Sequence, residues 1–123
     1  MSFALTAPVL GQTFSCLTTG VAPGDCSQFI HQFCGSATDL VTLIAEEDNI
    51  SRCFNTPGEG FKCDFTAWNQ FSSNPEVPND TFCLETLTAI TQTCPMGGQG
   101  TVSGSFFSFQ LIPNEGSCSF NGN

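Results

Sequence analysis

The chain has 123 residues and a formal net charge of −9, with only Arg52 and Lys62 basic against eleven acidic side chains. That balance repels nucleic-acid phosphates and anionic membranes, and no run of about 18 apolar residues is present to cross a bilayer as a helix. The length suits one domain with a modest core, and thirteen Phe with no Tyr make Phe its main core residue.

Eight cysteines stand at positions 16, 26, 34, 53, 63, 83, 94 and 118. They are widely spaced and form no C-x-x-C pair, and His31 is the sole histidine, so no Cys2His2 zinc set can be assembled. An even set of this kind predicts four disulfides in a secreted, extracellular protein. Residues 1–10 lack the positive n-region of a signal peptide, so Met1 reads as a start residue placed before a mature chain.

In chain order, residues 2–10 are weakly patterned and predict a loose arm. Gln12 to Thr18 alternates as a strand with Phe14 and Cys16 on one face, and Thr19-Gly20 turns the chain. Pro23-Gly24-Asp25 opens a helix that Asp25 caps. Cys26, Ile30, Phe33 and Cys34 share one side of it, and Gly35 is its natural terminator. Thr38 to Glu47 is ambiguous: Leu40, Leu43 and Ile44 fit a short helix, whereas Val41 and Thr42 favour a strand. The acidic trio Glu46-Glu47-Asp48 has no calcium-loop pattern around it and reads as a solvated face.

Asn49 to Trp68 predicts a hairpin, with arms Ile50–Asn55 and Phe61–Trp68 around the loop 56–60. A loop centred on Gly58 sets Arg52 opposite Asp64 and Phe54 opposite Lys62. Strand parity then turns Phe61, Cys63, Phe65 and Ala67 one way and Lys62, Asp64, Thr66 and Trp68 the other. A slip of parity would carry Trp68 into the core instead. Asn69 to Pro78, with two X-Pro steps, reads as a surface loop.

The stretch from Asn79 to Cys118 organises the rest. Cys83, Leu87, Ile90 and Cys94 follow one face of a 3.6-period helix. Asn79 or Asp80 caps it, Glu85 suits its early turns, and Pro95 with Gly97-Gly98 ends it. Phe107, Phe109 and Leu111 then alternate with Ser108 and Gln110 as a half-buried strand. A turn over 113–116 delivers Cys118. At 1.5 Å rise per residue, Cys83 and Cys94 stand about 16 Å apart and Cys26 and Cys34 about 12 Å, beyond the roughly 7 Å that a disulfide spans. Neither helix can close on itself. Cys94 with Cys118 is the expected pair, because the last strand folds back along the helix.

Catalysis is not expected. A Ser or Cys nucleophile needs a base, and His31 sits mid-helix in a surface or capping position. Nothing marks two of the eleven carboxylates as a glycosidase pair. Asn49-Ile50-Ser51 and Asn79-Asp80-Thr81 are N-glycosylation sequons at element boundaries, expected to be solvent-accessible. Chance sequons are frequent, so they carry no functional weight as sequence alone.

The run from Cys83 through Ile90 to Cys94-Pro95 and Gly97-Gly98, then the Phe strand, then Pro113-Asn114 to Cys118, resembles the small secreted cysteine-rich glycan-binding proteins of mushrooms, the shaggy ink cap lectin type. Cys16 with Gly20, Cys34 at a helix end and Arg52-Cys53-Phe54-Asn55 with Cys63-Asp64-Phe65 fit the same family, so the similarity covers most of the chain. The chain departs at Leu17, Phe106 and Ile112, where the family often has Tyr, Trp and Asp. The resemblance implies an α+β fold, a single-domain α/β sandwich over 1–123 with an antiparallel sheet of about four strands packed by two or more helices. It also implies a likeness to killer-toxin-like sandwich proteins. Cys26 and Cys63 are additional to the family's pattern and are paired with each other on that ground.

The function implied is a secreted, fungal, acidic lectin with a defensive or cytotoxic role, binding cell-surface or secreted glycans without metal or cofactor, as a monomer or dimer. The alternative is a killer-toxin-like effector or a hydrolase inhibitor that binds a protein target. A sugar needs an aromatic face and a few amide or carboxylate partners. The expected carbohydrate-binding residues are therefore Trp68, Asn69 and Gln70, with Asp64 and Thr66 behind Trp68 on the same strand.

Overall fold

The structure, a computed structural model, describes residues 3–6, 12–18, 26–37, 43–56 and 60–118. The helix expected between Cys83 and Cys94 forms as α2, Asp80–Thr93, with Asn79 as its N-cap: the Asn79 side chain accepts a 2.9 Å bond from the Phe82 N–H. Its buried side is Cys83, Thr86, Leu87 and Ile90, the expected 3.6-period face with one hydroxyl added. After Cys94 the chain leaves helical geometry and reverses at Gly97 with φ 91°, a conformation glycine adopts freely.

The expected first helix begins as a 3-10 turn, Ser27–Phe29, and continues as α1, Ile30–Ala37. Gly35 does not terminate it. The helix is pinned through Cys34 to α2, and Gly35 has open space around it, so tertiary anchoring outweighs its weak helix propensity. The cap assigned to Asp25 and the segment 38–42 lie outside the described residues. Within 43–48 there is no helix: Ile44 makes an isolated bridge with Glu76, and Glu46-Glu47 form a turn with φ 62° at Glu47.

Among the described residues, six strands form one antiparallel sheet: β1 Phe3–Thr6, β2 Gln12–Leu17, β3 Asn49–Asn55, β4 Phe61–Asn69, β5 Gly98–Val102 and β6 Phe107–Glu115, in the order β1-β2-β5-β6-β4-β3. The fold is α+β as expected, but the sheet is larger than the expected one of about four strands. The short edge strand β1 replaces part of the expected loose arm. The interior strand β5 escapes sequence reading because Gly-Gln-Gly looks like a helix stop. Packing explains those glycines: a Cβ on Gly100 would lie 2.5 Å from the Phe14 Cβ and 2.8 Å from the Thr13 carbonyl oxygen. Gly100→Ala is therefore expected to lower stability by about 1–3 kcal/mol through overpacking, as measured by denaturant unfolding; no change would show that β2 and β5 separate without cost.

The hairpin register differs by one from the expected one. Cys53 lies opposite Asp64, Phe54 opposite Cys63, and Arg52 opposite Phe65. Thr56 closes the ladder on Phe61, so the loop between them has an even number of residues and is not centred on Gly58. Lys62 instead approaches Asp64 along its own strand, at 3.6 Å. The expected turn at 113–116 is also corrected, since β6 continues through Pro113 to Glu115. Gly116 donates to the Gly60 carbonyl, so even-numbered residues of β6 bond to β4 and odd ones face β5. Pro113 lies past Gly98↔Leu111, where β5 has not begun, and its missing N–H costs the ladder nothing.

Both helices pack on one face of the sheet. Phe14, Phe65, Ala67, Phe107, Phe109 and Leu111 from the strands meet Ile30, Phe33, Leu87 and Ile90 from the helices in one core. Phe33 stacks on Phe65 at 5.2 Å and Phe54 meets Phe65 edge-on at 5.5 Å, the expected Phe-dominated interior.

All eight cysteines are paired: Cys16–Cys94, Cys26–Cys63, Cys34–Cys83 and Cys53–Cys118. The Cys26–Cys63 pair and the exclusion of bridges within a helix hold. The expected Cys94–Cys118 pair does not. The end of α2 sits over β2, whereas β6 runs on to the Gly60 end of the sheet, where the Cys118 N–H donates to the Asn55 side chain at 2.7 Å.

Candidate glycan-binding face

The same parity that buries Phe65 and Ala67 leaves the other face of the sheet with no helix over it among the described residues. Directly opposed residues of antiparallel strands share a face, so that face collects Asn49, Ser51, Cys53 and Asn55 from β3, Lys62, Asp64, Thr66 and Trp68 from β4, and Ser108, Gln110, Ile112 and Asn114 from β6. It is mostly polar, with Ile112 half-buried opposite Asp64 and Trp68 36% exposed at one end. An exposed indole flanked by hydroxyls and amides offers both a stacking plane and hydrogen-bond partners.

Of the five expected site residues, the structure brings three together. Asp64, Thr66 and Trp68 point from one strand onto the open face, each about 7 Å from the next. Asp64 is already engaged: it accepts a 2.7 Å bond from the Asn114 amide and pairs with Lys62. Thr66 shares a 3.0 Å hydroxyl contact with Ser51 across the ladder. Gln70 is half-buried just beyond the strand, with its backbone N–H on the Phe106 carbonyl.

Asn69 is a correction. It lies on the helix side, fully buried, and its amide donates to the carbonyls of Ile44 and Asn74, both at 2.9 Å. It ties the loops 43–48 and 70–78 to the end of β4. Alternation along the strand, which turns Trp68 outward, necessarily turns Asn69 inward. The 69–78 stretch is accordingly less superficial than expected, with Ser72 and Pro78 also buried.

The sequence reading missed the cross-strand neighbours of Trp68: Asn49 on β3 and Ser108 on β6. They are far from Trp68 in the chain, and only the register reveals them. It also missed two exposed rings at the same end of the sheet, Phe71 at 55% and Phe106 at 47%. Phe106 lines a concavity of about 210 Å³ with Glu76, Val77, Asn79, Phe82 and Ser105. A larger concavity of about 420 Å³ runs between α2 and Phe14, but its one aromatic ring is buried and presents no face to a sugar. His31 is exposed on α1, and Asn49 and Asn79 are both exposed as expected.

No curated protein matches the chain. The Glycan binding domain Y3 family matches residues 25–118, a span that runs from the approach to α1 through both helices and β3 to β6, to the last cysteine. It contains Trp68 and its cross-strand neighbours Asn49 and Ser108, and it agrees with the expected glycan-binding family. The chain belongs to the Y3 glycan-binding domain family.

Proposed function

We propose that this chain is an extracellular lectin that holds neutral glycans on its open sheet face, without metal or catalysis, and that it acts as one binding unit in defence or cytotoxicity. The observation that carries the site is the exposed Trp68 standing among hydroxyl and amide side chains on a face that no helix among the described residues covers. Trp is costly to leave wet, and the apolar side of a sugar ring covers it while Thr66 and Asn49 remain within reach of hydroxyls. Four disulfides support export, because such bridges persist in oxidising compartments.

The charge narrows the ligand. With a net charge of −9 and the exposed Glu46-Glu47-Asp48 turn joined to the end of β4, the Trp68 end faces ligands with a negative field. On a glycan array in low salt, neutral oligosaccharides are expected to bind and sialylated or sulfated versions of the same structures to bind at least about tenfold more weakly, with the gap narrowing as salt rises. Equal binding of the charged forms would place the ligand away from this end. The exposed rings of Phe71 and Phe106 favour a second reading, a protein target such as a hydrolase. A silent array together with capture of a fungal-cell-wall hydrolase would support it.

A further inference from the structure

Asn49 begins the sequon Asn49-Ile50-Ser51 and is directly opposite Trp68 in the β3–β4 register. The Asn69 N–H donates to the Asp48 carbonyl at 2.9 Å, so position 69 carries the ladder bonds to β3 and position 68 does not. Asn49 and Trp68 are therefore a non-hydrogen-bonded pair, the kind whose Cα atoms approach to about 4.5 Å and whose side chains lie closest. Both side chains are exposed on the same open face. The Asn49 Oδ1 accepts from the Ser51 hydroxyl at 3.3 Å, and among the described residues its Nδ2 has no hydrogen-bond partner.

We infer that Asn49 is an N-glycosylation site whose first sugar lies on the Trp68 indole, so that the glycosylated protein occupies its own glycan-binding face. The step is ordinary secretory chemistry. The Asn49 amide nitrogen attacks C1 of an oligosaccharide carried on a polyisoprenyl diphosphate. The N–C1 bond forms, the C1–O bond to the diphosphate breaks, and the amide loses one proton as the diphosphate leaves. In the fold Ser51 is held against Thr66 at 3.0 Å and Asn49 lies within a paired strand, so transfer precedes closure of the hairpin. Afterwards the anomeric carbon is fixed one side chain's length from the indole. The first N-acetylglucosamine then lays an apolar ring face against Trp68 at an effective concentration that a free ligand must exceed. Export with glycosylation thus yields a self-occupied form, and export without it an open form. The binding half of this inference rests on the proposed lectin function; the contact between the sugar and Trp68 does not.

The chain contains a single Trp, so its fluorescence reports on position 68 alone. The full chain is secreted from yeast behind an added leader and trimmed with an endoglycosidase that leaves one sugar on each modified Asn. It is compared with the same chain folded without glycosylation in a bacterial periplasm. Mass mapping is expected to find Asn49 occupied. Acrylamide quenching of Trp68 is expected to fall at least about twofold in the one-sugar form. Ser51→Ala from yeast, which keeps the Asn79 sequon, is expected to quench like the unmodified chain. On the array, the unmodified chain binds and the glycosylated chain loses at least about tenfold. An empty Asn49, or equal quenching in the one-sugar and unmodified forms, overturns the inference while leaving the lectin reading intact. Reduced quenching with no array binding by either form removes the lectin reading and leaves the Asn49 contact standing.

Discussion

Replacing Cys34 and Cys83 together by alanine is expected to lower the melting temperature by about 15 °C. This bridge joins α1 to α2, with both sulfurs fully buried and a Cα separation of 5.8 Å across 49 residues of sequence. In the chain-entropy account, closing a loop of that length removes about 4 kcal/mol of freedom from the unfolded chain. At about 2.1 cal/mol/K per residue, a domain of this size converts 4 kcal/mol to roughly 15 °C. The double change is preferred to a single one, which would leave a lone thiol free to exchange with the other bridges. Helix α1 has eight residues, too few to hold its conformation without tertiary contacts, so the loss falls mainly on docking of α1 against α2. Calorimetry of the oxidised double variant checks this; a shift below about 3 °C would mean that Phe33 and Ile30 hold the helix without the bridge.

Trp68→Ala is expected to weaken glycan binding by about 30-fold or more while lowering the melting temperature by less than about 5 °C. Truncating a central Trp in a binding surface typically costs at least about 2 kcal/mol of affinity. The stability cost is smaller because Trp68 is outside the core cluster and packs only on the open face of the sheet. Titration of an array-identified glycan by calorimetry, beside a thermal melt, separates the two effects. A melting fall near that of the disulfide variant would show the indole to be a structural element of the hairpin. Phe106→Ala is the discriminating partner: if it removes binding and Trp68→Ala does not, the ligand lies in the Glu76–Phe106 concavity.

Much of the chain was legible from local signals. The α2 face from Cys83 to Ile90 follows from apolar spacing, its start from the capping side chain of Asn79, and the two arms of the hairpin from alternation and a Pro-Gly loop. Parity along β4 also sufficed to send Phe65 inward and Trp68 outward, since two-residue periodicity belongs to the strand itself. The same rule applied one residue further would have removed Asn69 from the expected site. Adjacency in sequence was given more weight there than alternation, and the buried clasp to Ile44 and Asn74 shows the result.

What the tertiary structure decided is what depends on partners distant in the chain. Strand β5 is a strand because Phe14 needs a Cβ-free neighbour at Gly100, and no property of Gly-Gln-Gly itself announces that. The hairpin register turned on whether the loop held an odd or even number of residues, a difference of one that moved Arg52 from Asp64 to Phe65. Three of the four disulfide pairings followed from which elements pack together, β2 under the end of α2, α1 on α2 and β3 beside the chain after β6, which sequence separation does not encode. Asn49 became the neighbour of Trp68 for the same reason. Local chemistry dictates which way a side chain points, whereas its neighbours are set by sheet order and register, and those are properties of the whole packed chain.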